Sequence, residues 1–273
     1  MTGSAVPRFR GSGVHTRAVK YALRALASMA RPSGDFDARR YFRGADDLAF
    51  YNVGATPMRA LARSIYDAHR AQWTFADALA FADALMADRH LEAKSVGIEV
   101  VARFRRDLTP ARLVHWQRWL ARDLAANWAT TDAMCGALIG PTLVAHPGAA
   151  AAMDRWARHR NLWVRRAAIV GLIPLARRGD ALDRVYAIAR RLHTDREDLI
   201  QKAVGWALRE AGKTDPVRLE RYLRGRGPEI PRTTLRYAIE RFPAAKRRAL
   251  LAATRRPGVL QARRRAPGPI GPR

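Results

Sequence analysis

Cysteine is nearly absent from the sequence, which has Cys135 alone among 273 residues. A single cysteine excludes an internal disulfide framework and a cysteine-based zinc site, and it fits a reducing compartment. The seven histidines show no i, i+4 pair and no flanking carboxylate cluster of the metal-ligand type. We therefore expect no metal and no other cofactor.

Long apolar runs are also missing. The longest clean stretch, Ala167 to Ala176, is interrupted by Pro174 and falls well short of the roughly 18 residues that a membrane-spanning helix needs. Residues 1–34 contain no Asp or Glu, which superficially resembles an organellar transit peptide. Periodic apolar residues within this stretch (Val19, Leu23, Leu26 and Met29) favour an ordinary first helix. We expect a soluble, cytoplasmic protein without a membrane partner.

Acidic residues are scarce relative to basic ones. The chain has 24 Asp and Glu against 50 Lys and Arg, a formal net charge of +26. Only five of the basic residues are lysines and the rest are arginines. A GC-rich genome would explain this excess of arginine over lysine, but it would not explain the net charge. Such an excess predicts an extended anionic partner, for which nucleic acid and an anionic membrane surface both qualify.

The pattern of apolar residues predicts an all-α chain. Stretches rich in Ala, Leu and Arg have a period near 3.6 and alternate with short breaks, and no convincing period-two run appears. Three dipeptides resemble an N-cap followed by a first helical proline: Thr56–Pro57, Thr109–Pro110 and Asp215–Pro216.

An internal repeat is visible when three basic positions, Lys94, Arg166 and Lys202, are placed in register. The helix beginning at Asn127 fills the gap, and partner helices precede each member around 74–86, 110–121, 149–157 and 181–193. A period near 36 built from helix pairs is the signature of an α-solenoid. We expect a curved HEAT-like solenoid of antiparallel helix pairs with a basic concave face.

The domain boundaries follow from composition. Residues 15–254 are predicted to form one HEAT-like repeat domain, since the chain is long enough for one sizeable core. Residues 255–273 have too many Pro, Gly and Arg for a core and are expected to be a disordered basic tail. Residues 1–14 are expected to be a similar basic, flexible terminus.

Three groups of residues do not fit a purely structural role. Lys202, Trp206 and Arg209 lie at i, i+4 and i+7, so one helix face carries a tryptophan between two cations. Trp206 at the edge of the core is about as probable from the pattern as a functional role. Trp128 and Asp132 share another face at i and i+4, where a surface or helix-start aspartate is the alternative.

Arg166 lies on an otherwise apolar stripe with Leu162, Ile169 and Ile173. A buried arginine needs an anion to compensate its desolvation. Either Asp132, one repeat earlier, or a DNA phosphate would serve, and a structural salt bridge is slightly the better interpretation.

At these residues the chain resembles the AlkD-like family of bacterial DNA alkylation repair proteins, from about Tyr41 to residue 245. The most specific segment is the string from Asp198 to Glu210, DLIQKAVGWALRE, followed by Lys213–Pro216. Shorter segments support it in the same order: Tyr41–Arg43, Gly54–Arg59, Asn127–Asp132 and Leu162–Ile169. The family folds as HEAT-like repeats.

The resemblance implies the functional residues. Trp128, Asp132, Arg166 and Trp206 match the family positions that line a DNA-binding cleft beside the lesion. From these we expect Asp132, Trp128 and Trp206 to be catalytic, and a set of basic and aromatic residues to bind DNA: Tyr41, Arg43, Arg165, Arg166, Lys202 and Arg209. Ala129 departs from the family, whose members often have an acid there.

The implied activity is a DNA glycosylase acting on alkylated purines in duplex DNA. A purine alkylated at N3 or N7 already carries a positive charge, so one carboxylate that stabilises a cationic deoxyribose suffices. We expect a monomer that acts in the cytoplasm at the nucleoid. A catalytically silent HEAT-like scaffold for nucleic acid or protein, and a membrane-surface or acidic-protein partner, are the alternatives.

Overall fold

A computed structural model of the chain describes residues 13–32, 34, 42 and 47–254. Both predicted tails fall almost entirely outside these residues. The described part is helical and contains no strand; Ala49 and His90 form one isolated bridge. The chain divides into two compact units, Met1–Leu175 and Ala176–Arg273. The prediction of one domain over 15–254 stays a prediction.

The first unit contains nine helices within the described residues. They are α1 (Val14–Ser28), α2 (Ala55–His69), α3 (Phe75–Ala87), α4 (Leu91–Val101), α5 (Leu113–Ala121), α6 (Trp128–Met134), α7 (Gly140–Ala145), α8 (Ala152–Trp156) and α9 (Leu162–Val170). Helix α4 packs on α3 and α6, and α9 packs on α6 and α8. The unit boundary falls within a one-turn helix, α10 (Ile173–Ala176).

The second unit continues the pattern of helix pairs. Its described helices are α11 (Leu182–Leu192), α12 (Asp198–Thr214), α13 (Pro216–Arg226), α14 (Arg232–Ala238) and α15 (Ala244–Ala253). Helix α12 packs on α11, α13 and α14. The predicted all-α fold and its helix pairs are confirmed, because α3, α5, α8 and α11 occupy the places predicted for the partner helices. The curvature and the basic concave face stay predictions.

Two asparagines fix where the helices of the site begin. Asn127 accepts a hydrogen bond from the Thr130 N–H at 2.8 Å through Oδ1 and so caps α6. Asn161 caps α9 in the same way, accepting from the N–H of Trp163 at 2.8 Å. The cap predicted at Thr56 was wrong, because α2 begins at Ala55 with Gly54 as its N-cap. Asp215 caps α13 as predicted, accepting from the Arg218 N–H.

A π-helical turn interrupts the helix that carries Asp132. Residues Cys135–Ile139 form this turn between α6 and α7, and the Gly140 N–H bonds to the Cys135 carbonyl five residues earlier. Pro141 supplies the physical reason: a proline inside a helix has no N–H to donate, and its ring clashes with the carbonyl four residues back. The wider turn relieves that clash. Such turns occur often at functional sites.

Candidate functional site

The site of the first unit begins with two side chains on α6. Because they lie four residues apart, Trp128 and Asp132 project from the same helix face, and both are half-buried. Thr131 and Met134, on the other side of α6, are fully buried in the core. The Asn127 cap and the packing of α6 against α4 and α9 therefore hold this face in a fixed orientation.

Arg166 on α9 forms a bidentate ion pair with Asp132. Its Nε lies 2.9 Å from Oδ1 and its Nη2 lies 2.8 Å from Oδ2 of the carboxylate. The two side chains are only 7% and 17% exposed, respectively. This planar arrangement is the strongest kind of charge-assisted hydrogen bonding in proteins. Of the two anions that the sequence left open for Arg166, Asp132 is the one that the structure pairs with it.

Burial changes the protonation behaviour of the α6 face. Desolvation raises the pKa of Asp132, and the Arg166 guanidinium opposes that rise through its hydrogen bonds and its charge. Burial also raises the pKa of the Cys135 thiol well above its ordinary value, and the Asp132 charge adds to the effect. Cys135 is thus an inert, protonated thiol, and Asp132 is the titratable group of this face.

Trp128 is held by an aromatic stack that the sequence analysis missed. Phe42 stacks on Trp128 with ring centroids 5.4 Å apart and an interplanar angle of 16°. Phe50 continues the cluster, with its centroid 5.3 Å from that of Phe42. Phe42 is buried, and it lies in the sequence between two residues that were predicted to bind DNA. Those two, Tyr41 and Arg43, lie outside the described residues.

The segment that carries Phe50 is anchored by a buried glutamate. The Glu92 carboxylate accepts hydrogen bonds from the N–H groups of Tyr51 at 3.1 Å and Val53 at 3.2 Å. Ala49 adds backbone hydrogen bonds with Arg89 and Leu91. In the sequence, Glu92 is simply an acidic residue in the first turn of a helix. Nothing in the pattern indicates that it binds the N–H groups of Tyr51 and Val53.

The second unit presents the predicted Lys202–Trp206–Arg209 face on α12. Lys202 pairs with Asp198 at 2.7 Å, and both side chains are largely exposed. Arg209 pairs with Glu240, and more distantly with the buried Glu210 at 3.7 Å. Trp206 is half-buried, and within the described residues its ring stacks on no other ring and its N–H has no acceptor.

Arg165, predicted to bind DNA, is tied to the loop before α9. Its Nη1 donates to the carbonyls of His159 at 3.0 Å and Arg160 at 2.7 Å. Its neighbour Arg166 points instead to the Asp132 carboxylate. The described residues contain no group of three or more potential ligands that could hold a metal ion. No helix among them is long and apolar enough to span a membrane.

Comparison with known proteins places this all-α arrangement in one family. Residues 22–242 match the family model described as DNA alkylation repair enzyme. The match covers most of the chain, so the protein belongs to the DNA alkylation repair enzyme family. No curated protein matches it in sequence.

Two solved structures share the fold. A predicted DNA alkylation repair enzyme from Enterococcus faecalis superimposes with a TM-score of 0.69 at 18% identity, covering 79% of this chain and 98% of its own. The smu.31 protein of Streptococcus mutans superimposes with a TM-score of 0.55 at 16% identity, covering 82% of this chain and 98% of its own. At these identities the similarity establishes the fold alone.

Proposed function

We propose that the protein is a DNA glycosylase that hydrolyses the N-glycosidic bond of purines alkylated at N3 or N7. The observation that carries this proposal is the Asp132 carboxylate, which is half-buried beside Trp128 with both oxygens held by Arg166. A carboxylate fixed in a partly water-excluded site stabilises a developing positive charge without having to reorganise.

The leaving group explains why one carboxylate is enough. An N3- or N7-alkylated purine is a cation, so the glycosidic bond breaks with its electron pair passing to the base, which departs neutral. No acid is needed to protonate it, in contrast to sugar hydrolases that use two carboxyl groups. The deoxyribose is left with cationic character at C1′.

Asp132 and Trp128 have side chains that can stabilise the cationic deoxyribose. The carboxylate stabilises the deoxyribose cation and orients the water that adds to C1′, while the proton released by that water passes to Asp132 or to solvent. The Trp128 ring face adds cation–π attraction. Trp206 is proposed to act on the sugar in the same way.

Arg166 acts mainly through Asp132 in this scheme. Its guanidinium keeps the carboxylate ionised and in one orientation. A contact between Arg166 and a DNA phosphate stays a prediction. Nonspecific affinity for the DNA backbone is assigned to the other predicted residues (Tyr41, Arg43, Arg165, Lys202 and Arg209). Such binding falls steeply with salt and reads little sequence.

The test is single-turnover release of base from a duplex that contains one N7-methylguanine. We expect Asp132→Asn to slow release about 100-fold or more at equal DNA binding, because a fixed charge is lost from the reacting centre. Asp180→Asn is the matched control, since Asp180 is an exposed aspartate on the second unit, 57% accessible. Binding without release by the wild type would favour the noncatalytic scaffold.

A further inference from the structure

The second unit carries an exposed tyrosine to which the proposed chemistry gives no role. Tyr237 on α14 is 38% exposed, one of three large apolar or aromatic side chains exposed within the described residues. Its hydroxyl has no hydrogen-bond partner and its ring no aromatic neighbour there. The buried residues of α14 are Thr234, Leu235 and Ala238, and Tyr237 lies at the edge of this packed face with its side chain partly exposed.

Gly205 brings Tyr237 next to the Trp206 face. A Cβ at position 205 would lie 2.4 Å from the Tyr237 Cβ and 2.7 Å from the Thr234 carbonyl oxygen, closer than real Cβ contacts allow. Only glycine permits α12 and α14 to approach this closely. The side chain of Tyr237 therefore starts directly beside the residue that precedes Trp206.

The charges near Tyr237 are only partly compensated, because the nearby acid Glu240 pairs with Arg209. Arg236 precedes it and Arg241 follows shortly after α14; both are exposed, and neither has an ion-pair partner among the described residues. The comparable exposed apolar residue on α13, Val217 at 66% accessibility, is followed by Arg218, which pairs with Asp183. An exposed ring beside unneutralised arginines is the combination that binds nucleic acid strands, through stacking and charge.

We infer that Tyr237 is an additional DNA contact, which packs its ring against a nucleoside of the strand whose phosphates Arg236 and Arg241 attract. The inference rests on the proposed DNA substrate and extends the predicted binding face from α12 to α14. The ring supplies the contact, and the hydroxyl is dispensable.

The experiment measures binding of full-length protein to a fluorescein-labelled duplex across a series of salt concentrations. Tyr237→Ala is expected to weaken binding about tenfold, whereas Tyr237→Phe binds as the wild type does. The salt dependence of Tyr237→Ala stays that of the wild type, because a neutral ring displaces no counterion. Arg236→Gln, in contrast, lowers the slope by about one.

Val217→Ala is the matched control, since it removes an exposed side chain beside a neutralised arginine. Wild-type affinity in Tyr237→Ala, an equal loss in Val217→Ala, or binding to phosphatidylglycerol vesicles in place of duplex would each overturn the inference. Base release is measured separately on the same variants. If Tyr237→Ala binds DNA more weakly but the wild type releases no base, only the glycosylase proposal is contradicted. If the wild type releases base but Tyr237→Ala binds DNA as tightly as the wild type, only this inference is contradicted.

Discussion

The tryptophan faces of the two units differ in how their residues are held. On α6, Trp128 is stacked on Phe42 and Asp132 is fixed by both arms of Arg166. On α12, Trp206 has no ring partner among the described residues, and its neighbouring cations form pairs with exposed acids. A charge held in a fixed orientation can stabilise the charge that develops in a transition state. An aromatic ring without fixed partners can instead adjust to a bound nucleic acid. We therefore propose that the fixed charge of the reacting centre lies on the first unit, and that the second unit supplies the less constrained Trp206 ring.

The repeat register sharpens this contrast. Lys94, Arg166 and Lys202 occupy corresponding positions, but their partners differ. Lys94 is buried and donates to the Met86 carbonyl at 2.5 Å, which caps the end of α3. Lys202 is largely exposed beside Asp198. Of the three, only Arg166 combines burial with a carboxylate partner.

The largest expected effect is on stability, from removal of Arg166. Arg166→Gln leaves the Asp132 carboxylate buried without its cation, which costs about 3–5 kcal/mol of unfolding free energy. Lys202→Gln, which breaks the exposed pair at the corresponding position, costs less than about 1 kcal/mol. Urea unfolding of both variants checks this prediction. Equal, small losses would remove the distinction between the two faces.

A smaller loss is expected from closing the gap between α12 and α14. Gly205→Ala forces backbone and side-chain atoms of α14 outward and should cost about 1–3 kcal/mol, as overpacked cores do. Gly136→Ala is the control, because a Cβ there meets nothing within 4 Å. Thermal unfolding of the two variants compares them. Equal stability of Gly205→Ala and Gly136→Ala would contradict the close approach of α12 and α14.

The pH dependence of catalysis tests the charge on Asp132. Because burial raises its pKa, the carboxylate becomes protonated above the ordinary aspartate range, and the rate falls about tenfold per pH unit below that pKa. Without the Arg166 guanidinium the pKa rises further, so the acid limb of Arg166→Gln moves to higher pH. Single-turnover base release at saturating protein measures both profiles. Coincident profiles would show that Arg166 does not tune Asp132.

The smallest effect concerns the stack on Trp128. Phe42→Leu removes one ring and should cost about 1 kcal/mol of stability, since aromatic pairs contribute roughly that much beyond burial. It should also slow base release several-fold, because Trp128 loses its orientation. Phe42→Tyr keeps the stack and serves as the control. Undiminished release by Phe42→Leu would mean that Trp128 needs no support.

The sequence predicted those parts of the molecule that depend on local periodicity. The helix pairs follow from the repeat of apolar residues, and Asp132 was one of two partners named for Arg166. Contacts distant in sequence left no such pattern: Phe42 stacks across 86 residues on Trp128, and Glu92 binds backbone N–H groups about 40 residues earlier. The π-turn before Pro141 also left no periodic pattern in the sequence.

The most direct test of the central claim compares leaving groups that differ in charge. Matched duplexes contain either N7-methylguanine, which is cationic, or hypoxanthine, which is neutral, and single-turnover base release is measured for wild type and Asp132→Asn. We expect Asp132-dependent release of N7-methylguanine and no release of hypoxanthine, because Asp132 stabilises the sugar and no acid protonates the base. Equal release of both bases, or full activity of Asp132→Asn, would contradict it.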